Sequence, residues 1–151
     1  MNSKKIAEYR KLLDVTKTAT LKELKTIYRN KMKEDHPDTI ADDQLRIEAE
    51  ERSKKVIEAY HFLVSIAPET HEKDKEMYED TIKNINIEEF YMENGVLNIS
   101  FLNGNKFEYF SVPKPIYIKM VNAESPNRFA RRHVYNNFVY RSASKLEAVE
   151  L

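Results

Sequence analysis

The hydrophobic residues of this chain change period near residue 84. Before that point they recur at helical spacing, and after it they alternate as in strands. Such a chain is expected to build an α+β protein of two modules, a helical bundle first and an antiparallel sheet second. Ile6, Tyr9 and Leu13 stand at i, i+3 and i+7 and predict a short first helix. Thr20-Leu21-Lys22-Glu23 is a capping-box pattern, in which the Thr hydroxyl takes the Glu23 amide while Glu23 reaches back, so a second helix is expected from Leu21. Its apolar residues Leu21, Leu24, Ile27, Tyr28 and Met32 share one arc. Lys22, Lys25, Arg29 and Lys33 fill an adjacent arc about 80° wide. Pro37 disfavours helical geometry at His36, so this helix is expected to end near Glu34 or Asp35. A third helix is predicted from Asp43 to Ile66, with Leu45, Ala49, Val56, Ala59, Tyr60 and Leu63 as its buried stripe, and Pro68 breaks it. Residues 69–84 are acidic and read either as a helical linker or as a fourth helix, with Met77, Tyr78 and Ile82 as its contacts.

The second half is bounded by turn chemistry. Glu93-Asn94-Gly95 and Leu102-Asn103-Gly104-Asn105 each carry an Asn-Gly pair, the strongest short hairpin signal. They separate three alternating runs, so a small three-stranded antiparallel meander with one or two helices is expected. Pro113-Lys114-Pro115 opens one helix, and residues 127–141 mix Arg with aromatics. The expected division is 1–68 for the helical module, 69–84 for the acidic segment, 85–142 for the sheet module and 143–151 for a tail.

Composition removes several function classes. The chain has no Cys, so it has no disulfide framework, thiolate metal site or cysteine nucleophile. Its only glycines, Gly95 and Gly104, cannot build a phosphate-cradling loop. The four histidines, His36, His61, His71 and His133, are scattered and form no recognisable metal or catalytic spacing. No enzymatic activity, cofactor or metal is expected. No apolar run approaches the ~18 residues of a membrane span. The two lysines near the start precede no apolar stretch, so no signal peptide is expected and the location is expected to be cytoplasmic.

Formal net charge is zero, but the sum hides three blocks. Ten basic residues against three acids precede Glu34. From Glu34 to Ile66 nine acids face four bases, and from Phe101 to Lys145 eight bases face two acids. Local fields persist over about 10 Å, so such patches steer partners although the whole molecule is neutral.

His36-Pro37-Asp38 follows the basic amphipathic helix and opens a polar loop before the acidic third helix. Upstream stands Tyr9-Arg10-Lys11-Leu12-Leu13-Asp14-Val15, then Tyr28-Arg29; downstream stands Glu58-Ala59-Tyr60-x-x-Leu63. In this order the segments resemble the J domain of DnaJ-type co-chaperones across residues 6–66. The resemblance implies a helical hairpin bundle whose partner is the ATPase domain of a DnaK-type chaperone. It implies that Lys22, Lys25 and Arg29 form a positive docking rail, that His36 and Pro37 hold the loop, and that Asp38 engages a charged network and triggers ATP hydrolysis in the partner. Asp14 stands where that family usually has Gly, Lys31 where many members have Leu, Ser53 where an aromatic or small apolar residue is common, and Thr39 where a base is frequent. With no Cys and two Gly in this sequence, the Gly/Phe-rich and zinc-binding regions of full DnaJ proteins are not expected.

Residues 85–141 resemble the KTSC domain, a small domain found alone in bacteria and at the C-terminus of some lysyl-tRNA synthetases. The resemblance rests on Val96-Leu97-Asn98-Ile99-Ser100-Phe101-x-x-Gly104, Phe107-Glu108-Tyr109-x-x-Val112-Pro113, Tyr117, Ala123-Glu124-Ser125 and Asn127-Arg128-Phe129. Phe107-Glu108-Tyr109 replaces the family's Tyr-x-Tyr. RNA binding is the role suggested for that family. Lys106, Arg131 and Arg132, with Phe107, Tyr109 and Tyr135, are therefore candidate RNA- or client-binding residues, and Arg141 and Tyr140 could add to them. Core packing is the competing reading for each ring. The leading expectation is a co-chaperone whose second module selects a client, RNA or an RNA-associated protein among them. The alternative is an RNA- or protein-binding module whose J-like bundle only scaffolds.

Overall fold

A computed structural model describes residues 3–34 and 40–143. In chain order the elements are α1 (Ser3–Leu13), α2 (Leu21–Glu34), α3 (Asp43–Ser65), α4 (Pro68–Asn84), β1 (Ile87–Glu93), β2 (Val96–Phe101), β3 (Lys106–Phe110), α5 (Lys114–Asn122), α6 (Pro126–His133) and β4 (Tyr140–Ser142). The protein is α+β, helices first and an antiparallel sheet with further helices second. It divides into two compact units, Ile6–His71 and the segment from Glu72 onward with the first five residues.

In the first unit the local chemistry sets each boundary. α1 ends in a Schellman motif: the Asp14 amide donates to the Lys11 carbonyl at 3.1 Å and the Val15 amide to the Arg10 carbonyl at 2.9 Å. Asp14 holds φ 55, the left-handed geometry that favours Gly. The Gly of the resembled family is thus replaced by a residue that must bear the Cβ clash. α2 starts where the capping box requires, with the Glu23 amide donating to Thr20 Oγ1 at 3.1 Å. Glu23 reaches back to the Thr20 hydroxyl, 3.2 Å away, rather than to its amide. α3 is capped by Asp42, whose carboxylate accepts from the Leu45 amide at 3.0 Å.

The buried residues of α3 are Ala49, Ser53, Val56, Ala59, Phe62 and Leu63. Two members of the expected stripe do not belong to it: Leu45 is 55% exposed and Tyr60 is half-buried. Phe62 and Ser53 stand in the core instead. Leu21 meets Glu69, Leu24 and Leu63 line one cleft, and Tyr28 stacks on Tyr60, so α2 and α3 run antiparallel. At about 1.5 Å per residue α3 is longer than α2, and its first turn, with Leu45, extends beyond the described end of α2.

Residues 69–84, which the sequence left open as linker or helix, belong to the helix α4, which begins at Pro68. Its Tyr78, Thr81 and Ile82 are buried in the second unit. That unit is built on a four-stranded sheet of order β1-β2-β3-β4, every neighbour antiparallel. Asn94 at φ 50 and Gly95 at φ 79 form a two-residue type I′ turn that pairs Glu93 with Val96. Asn103-Gly104 sits in a longer loop, closed by the Phe101 amide donating to the Asn105 carbonyl at 2.9 Å. The fourth strand was not expected. It has three residues, too few to display alternation, and it pairs Tyr140 with Tyr109 and Arg141 with Glu108. Leu97, Ile99 and Phe101 of β2 and Phe107 and Tyr109 of β3 lie on the core face, against Tyr78, Met120, Ala130 and Tyr135. Of the one or two helices expected, two are present: α5, opened by Pro113-Lys114-Pro115, and α6. Ser125 caps α6 by accepting from the Arg128 amide at 3.2 Å.

Candidate functional site

Lys22, Lys25 and Arg29 are all exposed on α2, while Leu24 on the opposite side is 2% exposed. Their 3–4-residue spacing keeps them on one side of the helix. Among the described residues none of the three forms an ion pair. The acid nearest them in sequence, Glu23, is held in the Thr20 cap, which leaves the face positive. Glu69 adds a second device: its Oε1 accepts from the Leu21 amide at 2.9 Å, so a carboxylate of α4 satisfies an orphan donor at the start of α2. Sequence reasoning missed that contact. The two residues are 48 positions apart, and no local pattern signals it.

The three outlying motif segments meet in this unit. The Tyr9 hydroxyl donates to Glu58 Oε1 at 2.5 Å, and its ring packs on Phe62 at 5.4 Å. Tyr28 and Tyr60 stack with centroids 4.1 Å apart and planes 12° from parallel. These contacts fix α1 and α2 on α3, and they give a packing reason for Tyr9, Tyr28, Glu58 and Tyr60. His36, Pro37 and Asp38, together with Asp35 and Thr39, lie outside the described residues. α2 ends at Glu34 directly before them, and α3 begins behind its Asp42 cap directly after.

In the second unit the candidate residues separate. Lys106 is exposed at the start of β3, and Arg131 and Arg132 are exposed on α6. Phe107, Tyr109 and Tyr135 are 1%, 0% and 4% exposed. They are core residues and present no ring face to a base, so the stacking role offered for them is corrected. Alternation put Phe107 and Tyr109 on one face, and it is the face that α4 and α6 cover. Tyr140 is also engaged, stacked on Tyr78 at 4.0 Å, and Arg141 grips Glu108 with bonds of 3.0 and 3.2 Å. Arg131 donates from Nε to the Ile82 carbonyl at 3.0 Å and so caps α4. The large ring left exposed on the sheet is Tyr91, at 47%, which sequence reasoning did not single out.

The buried rings form a phenol cluster. The Tyr78 and Tyr109 hydroxyls share a hydrogen bond at 3.0 Å. Burial pushes the Tyr78 phenol up to about 12 and the Tyr109 phenol well above its usual range. Burial also raises Tyr135, whose hydroxyl has no hydrogen-bond partner among the described residues. All three stay neutral near pH 7.

Residues 8–79 match the DnaJ domain family. Residues 83–138 match the KTSC domain family. Among curated proteins, the chain is 45% identical over 58 residues to the chaperone protein DnaJ of Hydrogenobacter thermophilus. It is 46% identical over 56 residues to the chaperone protein DnaJ of Bacteroides thetaiotaomicron. These matches cover 38% and 37% of this chain and 15% and 13% of the two relatives, so the chain spans only a small part of their length. The DnaJ match takes in the α2 face, His36-Pro37-Asp38, α3 and the first part of α4. No helix of the described residues is long and apolar enough to cross a membrane.

Proposed function

We propose that this chain is a DnaJ-type co-chaperone that recruits a DnaK-type chaperone and stimulates its ATPase, while the KTSC-like unit selects the client. The observation that carries the reading is the positive face of α2, whose Lys22, Lys25 and Arg29 form no ion pair among the described residues and which runs in sequence into His36-Pro37-Asp38. Exposed like charges on a rigid helix speed encounter with an acidic surface and fix its orientation more than they add affinity. Lys22, Lys25 and Arg29 orient the partner, and Asp38 and His36, which follow in sequence, supply the carboxylate and imidazole that the J-domain resemblance assigns to the trigger. The chain is not itself an enzyme: it acts by biasing the partner's conformation. Its working place is the cytoplasm. A nucleic-acid-binding role with the bundle as mere scaffold is disfavoured, because Phe107, Tyr109 and Tyr135 are core residues.

Steady-state ATP turnover by the host's DnaK-type chaperone, measured with and without the full chain, tests the reading. Turnover is expected to rise severalfold on addition of the chain. Unchanged turnover across every DnaK-type chaperone of the host would contradict it.

A further inference from the structure

We propose that the exposed face of the α5–α6 pair docks an acidic, aliphatic-rich polypeptide segment. The proposal rests on the reading that the second unit selects the client, and it names the chemistry of that client. On α5, Lys114, Ile118 and Val121 fall within an arc of about 60°. Ile118 is 46% and Val121 52% exposed, whereas Met120, on the other side of the helix, is wholly buried. Two exposed aliphatic residues at i and i+3 have the anchor spacing that helix-to-groove recognition uses.

The surroundings of these two residues are basic. Between Lys114 and His133 there are five Lys and Arg against the single acid Glu124. α5 packs on α6, where Arg128 and Arg132 stand exposed at i and i+4. Like charges at that spacing repel and weaken a helix on its own. Arg131 turns aside to the Ile82 carbonyl. Lys114, Lys119, Arg128 and Arg132 form no ion pair among the described residues. The α5–α6 pair therefore combines exposed bases that lack an ion pair among the described residues with exposed aliphatic side chains, and carboxylates interleaved with Leu or Ile complement both features.

A nucleic acid fits this face less well. Base recognition on single strands relies on free ring faces. Tyr117 is half-buried with its ring against Phe90 at 6.1 Å, and Phe129 is half-buried with its ring on His133 at 4.7 Å. The exposed apolar groups are aliphatic and offer nothing to stack on.

Fluorescence anisotropy with the full chain tests the proposal, using a labelled helical peptide of alternating Glu and Leu pairs and a labelled mixed-sequence single-stranded RNA. The peptide is expected to bind more tightly than the RNA. Arg128→Glu with Arg132→Glu is expected to weaken the peptide by about tenfold or more. Ile118→Ser with Val121→Ser, on the other helix, is expected to weaken it comparably. Tighter binding of the RNA, or peptide affinity unchanged by the charge reversal, would overturn the proposal. Far-ultraviolet circular dichroism on both double variants checks that these surface changes leave the fold intact. ATPase stimulation without client, measured on the same proteins, separates the two readings. Peptide binding without stimulation sinks the co-chaperone reading alone, and stimulation without peptide binding sinks the docking surface alone.

Discussion

Asp14 shows how much one dihedral angle decides. Its φ of 55 costs an L-residue about 1–2 kcal/mol, and Gly avoids that cost at some expense in chain entropy. Asp14→Gly should therefore raise unfolding stability by about 0.5–1 kcal/mol, read by urea denaturation of the full chain. The position was legible as a departure from a family pattern, but the sign of φ was not. Tyr78 and Tyr109 depend on each other in the same way. Tyr78→Phe leaves the fully buried Tyr109 hydroxyl without this partner and should cost about 1–3 kcal/mol. Burial also gives the pair an alkaline limit. The folded Tyr78 phenol lies at about 12 against an unfolded value of 10, so its contribution is intact below pH 10 and is lost as pH rises through 12. The wild type should lose stability across that window more steeply than Tyr78→Phe does. The alternation of β3 placed Phe107 and Tyr109 together, but alternation does not say which face of a sheet the helices will cover.

At the scale of elements, the boundaries encoded within a few residues were legible and those set by distant partners were not. The start of α2 follows from Thr20 and Glu23, and the first hairpin follows from Asn94-Gly95, because each pattern carries its own hydrogen bonds or backbone geometry. Thr20→Ala should destabilise the fold by about 1 kcal/mol in thermal or urea unfolding. The loss should be larger in a Glu69→Ala background, because both side chains serve the same helix start. The stripe on α3 was extended one turn too far to Leu45, since spacing continues where the packing partner has ended. β4 was missed because three residues pair through backbone bonds to β3 and through Arg141–Glu108, none of which is a periodic signal. α4 was ambiguous for a related reason. Its sequence is polar, and its helix is anchored by Tyr78, Thr81 and Ile82, of which Thr81 looks like a surface residue until the Asn105 amide is seen donating to it at 2.9 Å.

For the whole molecule, zero net charge is an arithmetic result and not a physical one. The bases of α2 and those of α5 and α6 act locally, within about a Debye length, whatever the sum over the whole chain. On the proposed function the labour divides: one unit would address the chaperone, and the other what the chaperone acts on. The proposed function has the α2 face and the His36-Pro37-Asp38 segment after it drive ATP hydrolysis in a DnaK-type partner. Single-turnover hydrolysis by that partner, with the wild-type chain, with His36→Gln and with Lys22→Glu/Lys25→Glu/Arg29→Glu, tests it most directly. The account predicts that the wild type accelerates hydrolysis, that His36→Gln abolishes the acceleration at every concentration, and that the charge-reversed chain accelerates only at much higher concentration. Equal acceleration by all three proteins, or none by the wild type, would contradict it.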